Sequence, residues 1–325
     1  MQLDLGALTT ALLPTAALIG LGWALRSRFR YAEAFWPDLE RLAYFVLLPS
    51  LFVSGLARAD FTGLQVGRMA LVLALSSVAG AALAWLLRRR IAADDGPAFS
   101  SVFQGGIRFN NYIGLVVATA LLGADGLALA ALSNAVLVPL VNITSTITLA
   151  RHGHGSAGWA SVPREVLTNP LVLGCAAGMA LYLVGTTTVG EAAVTTPVLG
   201  ELVVGMGELV RILGGAALPI GLLCVGAGLR RPEGSRETVR LVGWSMVLRF
   251  VAVPVLATGV AVALGLSGPA AVVAILFQSV PTASSAYVLA RRLGGDAPLM
   301  AAIIAVQTLA GAVTIPLWLL VGQSL

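Results

Sequence analysis

The sequence has little charge and few residues that bind metals. Only 11% of its 325 residues are charged, it contains two cysteines and two histidines, and its 20 basic residues are all arginine. Soluble domains have about 25% charged and about 45–50% apolar residues. Because 58% of this chain is hydrophobic, we predict a membrane protein without a separate soluble domain.

The scarcity of ligating residues excludes several kinds of site. Cys175 and Cys224 lie in separate apolar segments, and His152 and His154 lie in a glycine-rich loop without an acidic cluster. A zinc site needs about three or four such ligands at close spacing, so we predict no metal and no cofactor. The sequence contains no nucleophile–base pair and no phosphate-binding loop, so we expect no catalytic residues and no enzyme.

Apolar stretches recur along the whole length of the chain. A membrane-spanning helix needs about 20 mostly apolar residues, and most of these stretches are that long. The predicted segments, called spans one to ten below, cover roughly residues 5–25, 40–58, 68–88, 98–122, 126–150, 167–185, 198–229, 241–265, 270–291 and 298–321. The predicted fold class is an all-α membrane protein with ten transmembrane helices.

The arginines are concentrated in alternate loops. With the N terminus outside, the inside loops contain clusters such as Arg88–Arg90 and Arg291–Arg292, whereas Arg58 and Arg68 lie outside. This asymmetry follows the positive-inside rule for cytoplasmic loops. It predicts a multi-pass protein of the cytoplasmic (inner) membrane with both termini on the outer, periplasmic side. The basic residues thus face the lipid bilayer surface, and we predict no nucleic-acid partner.

Two spans are interrupted in the same way. Each interruption is preceded by a Phe-Gln pair, at residues 103–104 in span four and at residues 277–278 in span nine. Both spans end in Leu-Gly-x-Asp. Paired interruptions in corresponding halves of a chain are typical of secondary transporters. A five-span unit forces its second copy to enter the membrane from the opposite side. We therefore predict two inverted repeats, residues 1–165 and 166–325.

Span four is predicted to break near its middle. Gly105 and Gly106 each destabilise a helix by about 1 kcal/mol relative to Ala. Asn110 and Asn111 follow, and both are residues that accept hydrogen bonds from the free amides of a restarting helix. Backbone that leaves helical geometry within a bilayer must be buried in protein or line a cavity.

Span nine is predicted to break at the matching position. Pro281 lacks an amide hydrogen and clashes with the preceding turn, and Thr282, Ser284 and Ser285 are again of the capping type. We therefore expect two half-helix pairs that cross near the membrane midplane. Helix amino termini have free N–H groups and about half a positive charge each, which suits an anion.

Three arginines lie within the predicted spans: Arg108, Arg249, and Arg211, which is expected to pair with Glu208 at the membrane surface. Arg108 is the only charge deep in span four, and an intramembrane charge marks a functional site by default. It is either the counter-charge of an anionic substrate or a residue that bonds the free carbonyls of the first half-helix. Arg249 in span eight is expected to extend to the inner surface. All 15 acids are assigned to loops or span ends, which disfavours a proton pump or sodium/proton exchanger.

Other polar residues of the spans complete the predicted site. Span five is unusually polar, and interhelical hydrogen bonds account for most such side chains. Asn134 of span five and Gln307 of span ten are the preferred exceptions, because both face the breaks in an inverted-repeat arrangement. Ser50 and Ser54 of span two and Tyr112 of span four are also predicted substrate contacts.

At these residues the chain resembles the auxin efflux carrier family, bacterial relatives of the plant PIN transporters within the bile/arsenite/riboflavin transporter superfamily. The resemblance covers essentially the whole chain and is carried by Tyr44–Leu51, Phe109–Gly114, Asn169-Pro170, Ala217–Leu222 with Gly226, and Pro281–Ser285 with Ala290.

The resemblance implies a homodimer, organic-anion substrates, and a scaffold of helices one, two, six and seven. The remaining helices would form a moving transport unit in which helices four and nine cross at the substrate. The family's crossover Asn corresponds to Asn110 and its ninth-helix Pro to Pro281. Plant members have Pro where this chain has Phe109, so small carboxylates are expected rather than plant substrates.

The sequence therefore predicts a secondary carrier of a small organic carboxylate that works by an elevator-like movement. A sodium-coupled symporter of a larger anion, resembling bile-acid transporters, is an alternative. A membrane receptor or scaffold with a vestigial site is a second alternative. Coupling to Na⁺, to H⁺ or to neither stays open, as does import versus export. Sodium dependence would separate the two carriers, and robust substrate counterflow would exclude the receptor.

Overall fold

The computed structural model describes residues 5–92, 94–153, 168–186, 197–229 and 235–325, and the regular secondary structure in these ranges is entirely helical. In chain order the helices are α1 Leu5–Ser27, α2 Phe35–Leu42, α3 Leu48–Leu56, α4 Val66–Leu86, α5 Arg88–Ala92, α6 Gly96–Ile107, α7 Asn111–His152, α8 Pro170–Thr186, α9 Pro197–Gly228, α10 Arg236–Val247, α11 Val253–Leu264, α12 Gly268–Ser279, α13 Ser285–Leu293 and α14 Ala297–Gln323. The π-helical turns Ala43–Leu47 and Leu248–Ala252 join α2 to α3 and α10 to α11. The predicted repeat boundary at 165 and 166 lies outside the described residues, as does His154.

Several helical runs are long and apolar enough to cross a membrane. The described residues contain six of them: Phe35–Leu56, Val66–Leu86, Gly96–His152, Val204–Gly228, Arg236–Leu264 and Ala297–Gln323. Shorter apolar helices cover Leu12–Ser27, Pro170–Val184 and Gly268–Ser279. The prediction of an all-α, multi-pass membrane protein is therefore confirmed.

The run Gly96–His152 is not one continuous helix. It spans 57 residues, and a straight helix of that length would measure about 85 Å, far more than the roughly 30 Å hydrocarbon core of a bilayer. The helix ends at Ile107 and restarts at Asn111, and Gly123 interrupts α7 with φ 59° and ψ −130°. Gly294, at the same position of the second Leu-Gly-x-Asp sequence, also has a positive φ of 77°, a conformation that favours glycine.

Helices α6 and α14 begin with the same local signal. The Asp95 carboxylate accepts a hydrogen bond from the amide of Ala98 at 2.9 Å, and Asp296 accepts one from Leu299 at 2.9 Å. A proline lies in the first turn of each helix, where its missing amide hydrogen costs nothing. The two helix starts are also tied together, because the Ser101 hydroxyl donates to the Asp296 carbonyl at 2.9 Å.

The helices pack in two groups. In the first group α1 packs on α9, and α3 packs against both α8 and α9. The α1–α9 contact is close, since a Cβ added at Gly226 would lie 1.8 Å from the carbonyl oxygen of Ile19. One added at Gly22 would lie 2.1 Å from the carbonyl oxygen of Leu223. Small residues let membrane helices approach each other closely, so glycine is required at this contact.

The second group surrounds the two half-helices α6 and α12. In this group α4 packs on α11, α12 packs on α14, and α7 contacts α4, α6 and α12. Every residue of Ala98–Ile107 and of Ala270–Ser279 is buried. The ends of α6 and α12 therefore lie at the centre of the second group, and α7 contacts both groups.

Candidate functional site

The first break covers residues 108–110, between α6 and α7. The backbones of Arg108 and Asn110 are extended there, with φ/ψ of −71/156° and −87/107°. The side-chain oxygen of Asn110 accepts hydrogen bonds from the amides of Tyr112 at 3.0 Å and Ile113 at 3.2 Å. Asn110 is thus confirmed as the cap of the restarting helix. Asn111 is the first residue of α7 and does not cap it.

The second break covers residues 280–284, between α12 and α13. The predicted hydroxyl caps are wrong here, because Ser284 at the cap position makes no capping hydrogen bond. Its backbone is helical, with φ/ψ of −58/−32°, rather than extended as in a capping residue. The Thr282 hydroxyl is buried without a hydrogen-bond partner in the described ranges. The Ser285 hydroxyl accepts a hydrogen bond from Arg108.

The two breaks lie directly against each other. The Asn110 amide donates to the carbonyl oxygen of Pro281 at 2.8 Å, and the rings of Phe109 and Phe277 meet edge to face with centroids 5.7 Å apart. The amino terminus of α7 therefore lies beside the end of α12. A backbone amide of the first break and a backbone carbonyl of the second break are hydrogen-bonded to each other.

Gln307 of α14 provides a second connection between the breaks. Its side-chain oxygen accepts a hydrogen bond from the Thr282 amide at 2.9 Å. Its side-chain nitrogen donates to the carbonyl oxygen of Gly105 at 3.0 Å and to the Ser245 hydroxyl at 2.9 Å. The side chain is fully buried. Gln307 thus faces the breaks as expected, and it satisfies backbone groups on both sides.

Arg249 does not extend to the inner surface, and that prediction is wrong. The residue is 0% exposed, and its guanidinium donates to the carbonyl oxygens of Val280 at 2.5 Å, Phe277 at 2.7 Å and Ile107 at 3.4 Å. The last carbonyls of a helix have no partner within the helix, and a guanidinium has five donors in a fixed fork. The free carbonyls of α6 and α12 therefore hold Arg249 at the centre of the fold.

Arg108 bonds neutral side chains. Its Nη1 donates to the side-chain oxygen of Asn142 at 2.9 Å, and its Nη2 donates to the Ser285 hydroxyl at 3.2 Å. None of the ion pairs in the described ranges involves Arg108, and its Nε has no protein partner there. The carbonyl-capping role that was the alternative for Arg108 is filled by Arg249. Arg108 is 9% exposed, so this positive charge is nearly enclosed.

A small cavity lies beside the Arg108 guanidinium. Its volume is about 20 Å³, room for about one water molecule. The polar groups in its lining come from Tyr44, Arg108, Asn111, Asn142 and Ser285. In this conformation the cavity is too small for an organic ligand.

The remaining predicted contacts bond within their own helices or pack in the core. The hydroxyls of Ser50 and Ser54 donate to carbonyl oxygens of the preceding turn. The Asn134 nitrogen also donates to the preceding turn, at 2.8 Å, while its side-chain oxygen is buried without a partner among the described residues. The Tyr112 ring packs on Gly221. The structure therefore does not bring these four residues to the Arg108 cavity.

Sequence reasoning missed a third polar contact of the second break. A side-chain oxygen of Glu40 accepts a hydrogen bond from the Ser284 hydroxyl. The helix begins at Phe35 rather than at the predicted residue 40, so Glu40 lies within the membrane-spanning run and not at its end. The detectable signal was the spacing of four from Trp36 through Glu40 to Tyr44, which puts the three residues on one helix face.

The site provides hydrogen-bond donors rather than metal ligands. A guanidinium and the amino termini of α7 and α13 lie at the breaks, surrounded by hydroxyl and amide groups. Within the described ranges, no three His, Cys, Asp or Glu side chains lie together in a way that could hold a metal ion. Such a set of donors is suited to an anion.

Comparisons with known proteins agree with this membrane architecture. A family profile described as membrane transport protein matches residues 156–319. The chain is also 26% identical over 311 residues to a protein of Methanothermobacter thermautotrophicus described as an uncharacterized transporter. That similarity covers 95% of this chain and 97% of the relative.

Proposed function

This chain belongs to the membrane transport protein family, the auxin efflux carrier family, and from that premise we propose that it is a secondary carrier of small organic carboxylates. It is a multi-pass membrane transporter by family and not an enzyme. The proposal adds the class of substrate, the residues that bind it and the way it is moved.

The single observation that carries the substrate class is the environment of Arg108. A nearly enclosed guanidinium is expensive to keep within a membrane protein unless an opposite charge compensates it. Here its protein partners are the neutral side chains of Asn142 and Ser285. A substrate carboxylate would supply the missing charge, and bidentate guanidinium–carboxylate pairs are among the stronger hydrogen-bonded contacts in proteins.

The substrate would bind between the two breaks. We propose that Asn110, Asn111 and Thr282, together with Pro281 and Gln307, contact it there. The amino termini of α7 and α13 add a favourable dipole for an anion. Because the cavity beside Arg108 holds only about one water molecule, the site has to open during the transport cycle.

We propose that opening occurs by movement of one group of helices against the other. The first group would be the scaffold, formed by spans one, two, six and seven, and the second would be the elevator-like transport unit. The close glycine contact of α1 with α9 supports a rigid scaffold. The matched breaks and the positive φ angles of Gly123 and Gly294 support ten spans arranged as two inverted repeats.

Orientation and assembly are part of the same proposal. Positive-inside counting favours both termini on the outer, periplasmic side of the cytoplasmic membrane. A C-terminal reporter that is active only in the cytoplasm should therefore stay silent, and a bright signal would contradict the inverted repeat. We also propose a homodimer through the scaffold helices, where Leu181, Val204 and Ile212 are exposed apolar residues of α8 and α9.

The first experiment identifies the substrate. The purified protein would be screened by thermal shift against short mono- and dicarboxylates from acetate to succinate, with and without sodium. The acid that raises the melting temperature most would then be tested for counterflow in proteoliposomes, against protein-free liposomes as the control. Counterflow of that acid is the expected result. Stabilisation by none of the acids, or stabilisation without counterflow, would reject the proposed function.

The second experiment tests the role of Arg108. Arg108→Gln should weaken carboxylate binding by about one to two decades, since a charged hydrogen-bond partner contributes about 1.5–3 kcal/mol. Binding of the matching uncharged amide should change little. Arg41→Gln, at an exposed arginine, is the control. An unchanged ratio of the two affinities in Arg108→Gln would reject the counter-charge role.

A further inference from the structure

Glu40 is a carboxylate within the membrane-spanning run Phe35–Leu56, and it contacts the second break. It is partly buried, and its side-chain oxygen accepts the Ser284 hydroxyl. None of the ion pairs formed by the described residues includes Glu40. A carboxyl group in a membrane span is costly to keep charged and is a functional candidate by default.

The other acids in the described ranges have structural partners or face outward. Asp95 and Asp296 cap helices, and the residues paired with arginines are Glu33, Glu208 and Glu237. The exposed acids are Asp38, Asp60, Asp94, Asp125 and Glu201. Glu40 thus combines a position inside a span with a direct contact to a helix break.

Water can reach Glu40 through a cavity of about 550 Å³ between α2, the end of α9, α13 and α14. Its lining also contains these charged and titratable groups: Arg26, Glu33, Cys224, Tyr287, Arg291 and Arg292. Arg26 is paired with Glu33 at 3.0 Å, and Arg291 lies over the Tyr287 ring at 6.0 Å. On α2 itself, Asp38 and the following Arg41 are exposed. The cavity is large enough to hold several water molecules beside the carboxyl group.

Glu40 and Arg108 bond consecutive residues where the second break meets α13. Glu40 bonds Ser284, and Arg108 donates to Ser285 at 3.2 Å. An ionised Glu40 therefore puts a negative charge against the residue next to the one that Arg108 bonds. Like charges repel more strongly inside a protein than in water, and an anion nearby favours the protonated form of a carboxyl group. Binding of the anion and binding of a proton to Glu40 must then favour each other equally.

We propose that Glu40 is the proton-binding residue of this carrier. Because it lies on a helix of the scaffold, movement of the transport unit would expose its carboxyl group first to one side of the membrane and then to the other, so that one proton is passed on with each organic anion. The inference rests on the proposed function. When the anion binds, water in the cavity gives a proton to a carboxylate oxygen of Glu40 and an O–H bond forms. When the anion leaves, that bond breaks and the proton returns to water, so no oxidant or reductant is needed. The neutral carboxyl group can still hydrogen-bond the Ser284 hydroxyl.

The test compares exchange with proton-driven accumulation in proteoliposomes. The probe is the radiolabelled carboxylate selected by the thermal-shift screen. Exchange is measured as counterflow at equal pH on both sides, and accumulation is measured with the outside more acidic than the inside. Glu40→Gln imitates the protonated form without a titratable group. Asp38→Asn removes an exposed carboxylate of the same helix and is the matched control. Protein-free liposomes and a protonophore correct for passive diffusion of the acid.

Wild type and Asp38→Asn should accumulate the anion above equilibrium, and the protonophore should abolish this. Glu40→Gln should retain measurable counterflow and lose accumulation. Accumulation by Glu40→Gln as in wild type would overturn the inference. So would a wild type that shows counterflow but does not accumulate the anion when the outside is more acidic. Absence of counterflow in wild type would instead reject the proposed function.

A second measurement is independent of how well Glu40→Gln folds. Wild-type protein in weakly buffered detergent solution should take up protons when it binds the probe carboxylate, detected with a pH indicator. Glu40→Asp keeps a carboxyl group and should also take up protons. Binding without proton uptake by wild type would reject the role of Glu40.

Discussion

The two helix breaks meet the same structural need in different ways. At the first break, the free amides of α7 are satisfied by Asn110, a residue of the break itself. At the second break, the side chain of the N-cap residue Ser284 does not cap α13. The Thr282 amide instead donates a hydrogen bond to Gln307 of α14. The carbonyls of both breaks are bonded by Arg249.

This difference indicates that the first break is encoded locally and the second by its neighbours. A helix start that is capped by its own asparagine keeps its geometry when surrounding helices shift. A break held by side chains of other helices changes its hydrogen bonds when those helices move. We therefore expect the second break to be the more adaptable part of the site, and the following substitutions test this contrast.

The largest effect is expected at Arg249, which serves both breaks. Arg249→Met removes the donors to three buried carbonyls, and each unsatisfied group costs about 1–3 kcal/mol. We expect a loss of at least about 3 kcal/mol, seen as a marked fall in melting temperature and in the yield of monodisperse protein. Arg236→Met, at an exposed arginine of α10, is the control. A decrease no larger than that of the control would show that the breaks do not depend on Arg249.

The next effect is expected at Gln307, which serves the second break most directly. Gln307→Leu leaves the Thr282 amide and the Gly105 carbonyl without their partner, which should cost about 2 kcal/mol. Gln323→Leu changes the same residue type in the same helix, where the side-chain nitrogen has no partner among the described residues. The measurement compares the melting temperatures of the two variants. Equal values would show that Gln307 does not stabilise the second break.

A smaller loss of stability is expected at Asn110. Asn110→Ala removes a helix cap, which costs about 0.5–2 kcal/mol, so the protein should still fold. We expect substrate binding to be lost, because the cap fixes the amino terminus of α7 at the proposed site. Asn111→Ala should be less destabilising, because Asn111 does not cap the helix. Near-normal transport by Asn110→Ala would contradict the assignment of this break to the substrate site.

The smallest effect is expected at Thr282. Its hydroxyl is buried without a partner in the described part of the chain, so Thr282→Val should change the free energy of unfolding by less than about 0.5 kcal/mol or stabilise the protein. A clear destabilisation would mean that the second break does use its own side chain. Weaker substrate binding at unchanged stability would instead place the hydroxyl in the binding site.

Local features of the site could be predicted from sequence. Proline and asparagine have strong backbone preferences, so Asn110 and Pro281 located both breaks and the first cap. Gly105 and Gly106 did not, because α6 continues through them to Ile107. Gln307 was found because an inverted-repeat arrangement makes it face the breaks. The signals of Asn110 and Pro281 operate over a few residues.

The contacts between distant residues could not be predicted in this way. Arg249 was expected to reach water, since nothing in its own segment shows that free carbonyls lie closer; one of them, at Ile107, is 142 residues away. Glu40 was placed at a span end because hydropathy locates helix starts poorly, and its partner Ser284 is 244 residues away. The hydroxyl caps at the second break failed because residue type does not fix the backbone angle of Ser284.

The bonds of Arg249 also have a consequence for biosynthesis. The chain is made from its N terminus, so α6 enters the membrane well before Arg249 has been synthesised. Until then, the Ile107 carbonyl lacks the donor it has in the finished protein, and polar backbone without a partner is unfavourable in lipid. The first half of the protein therefore cannot reach its final packing on its own. The π-helical turn between α10 and α11, which carries Arg249, has to arrive before the end of α6 can take its final form.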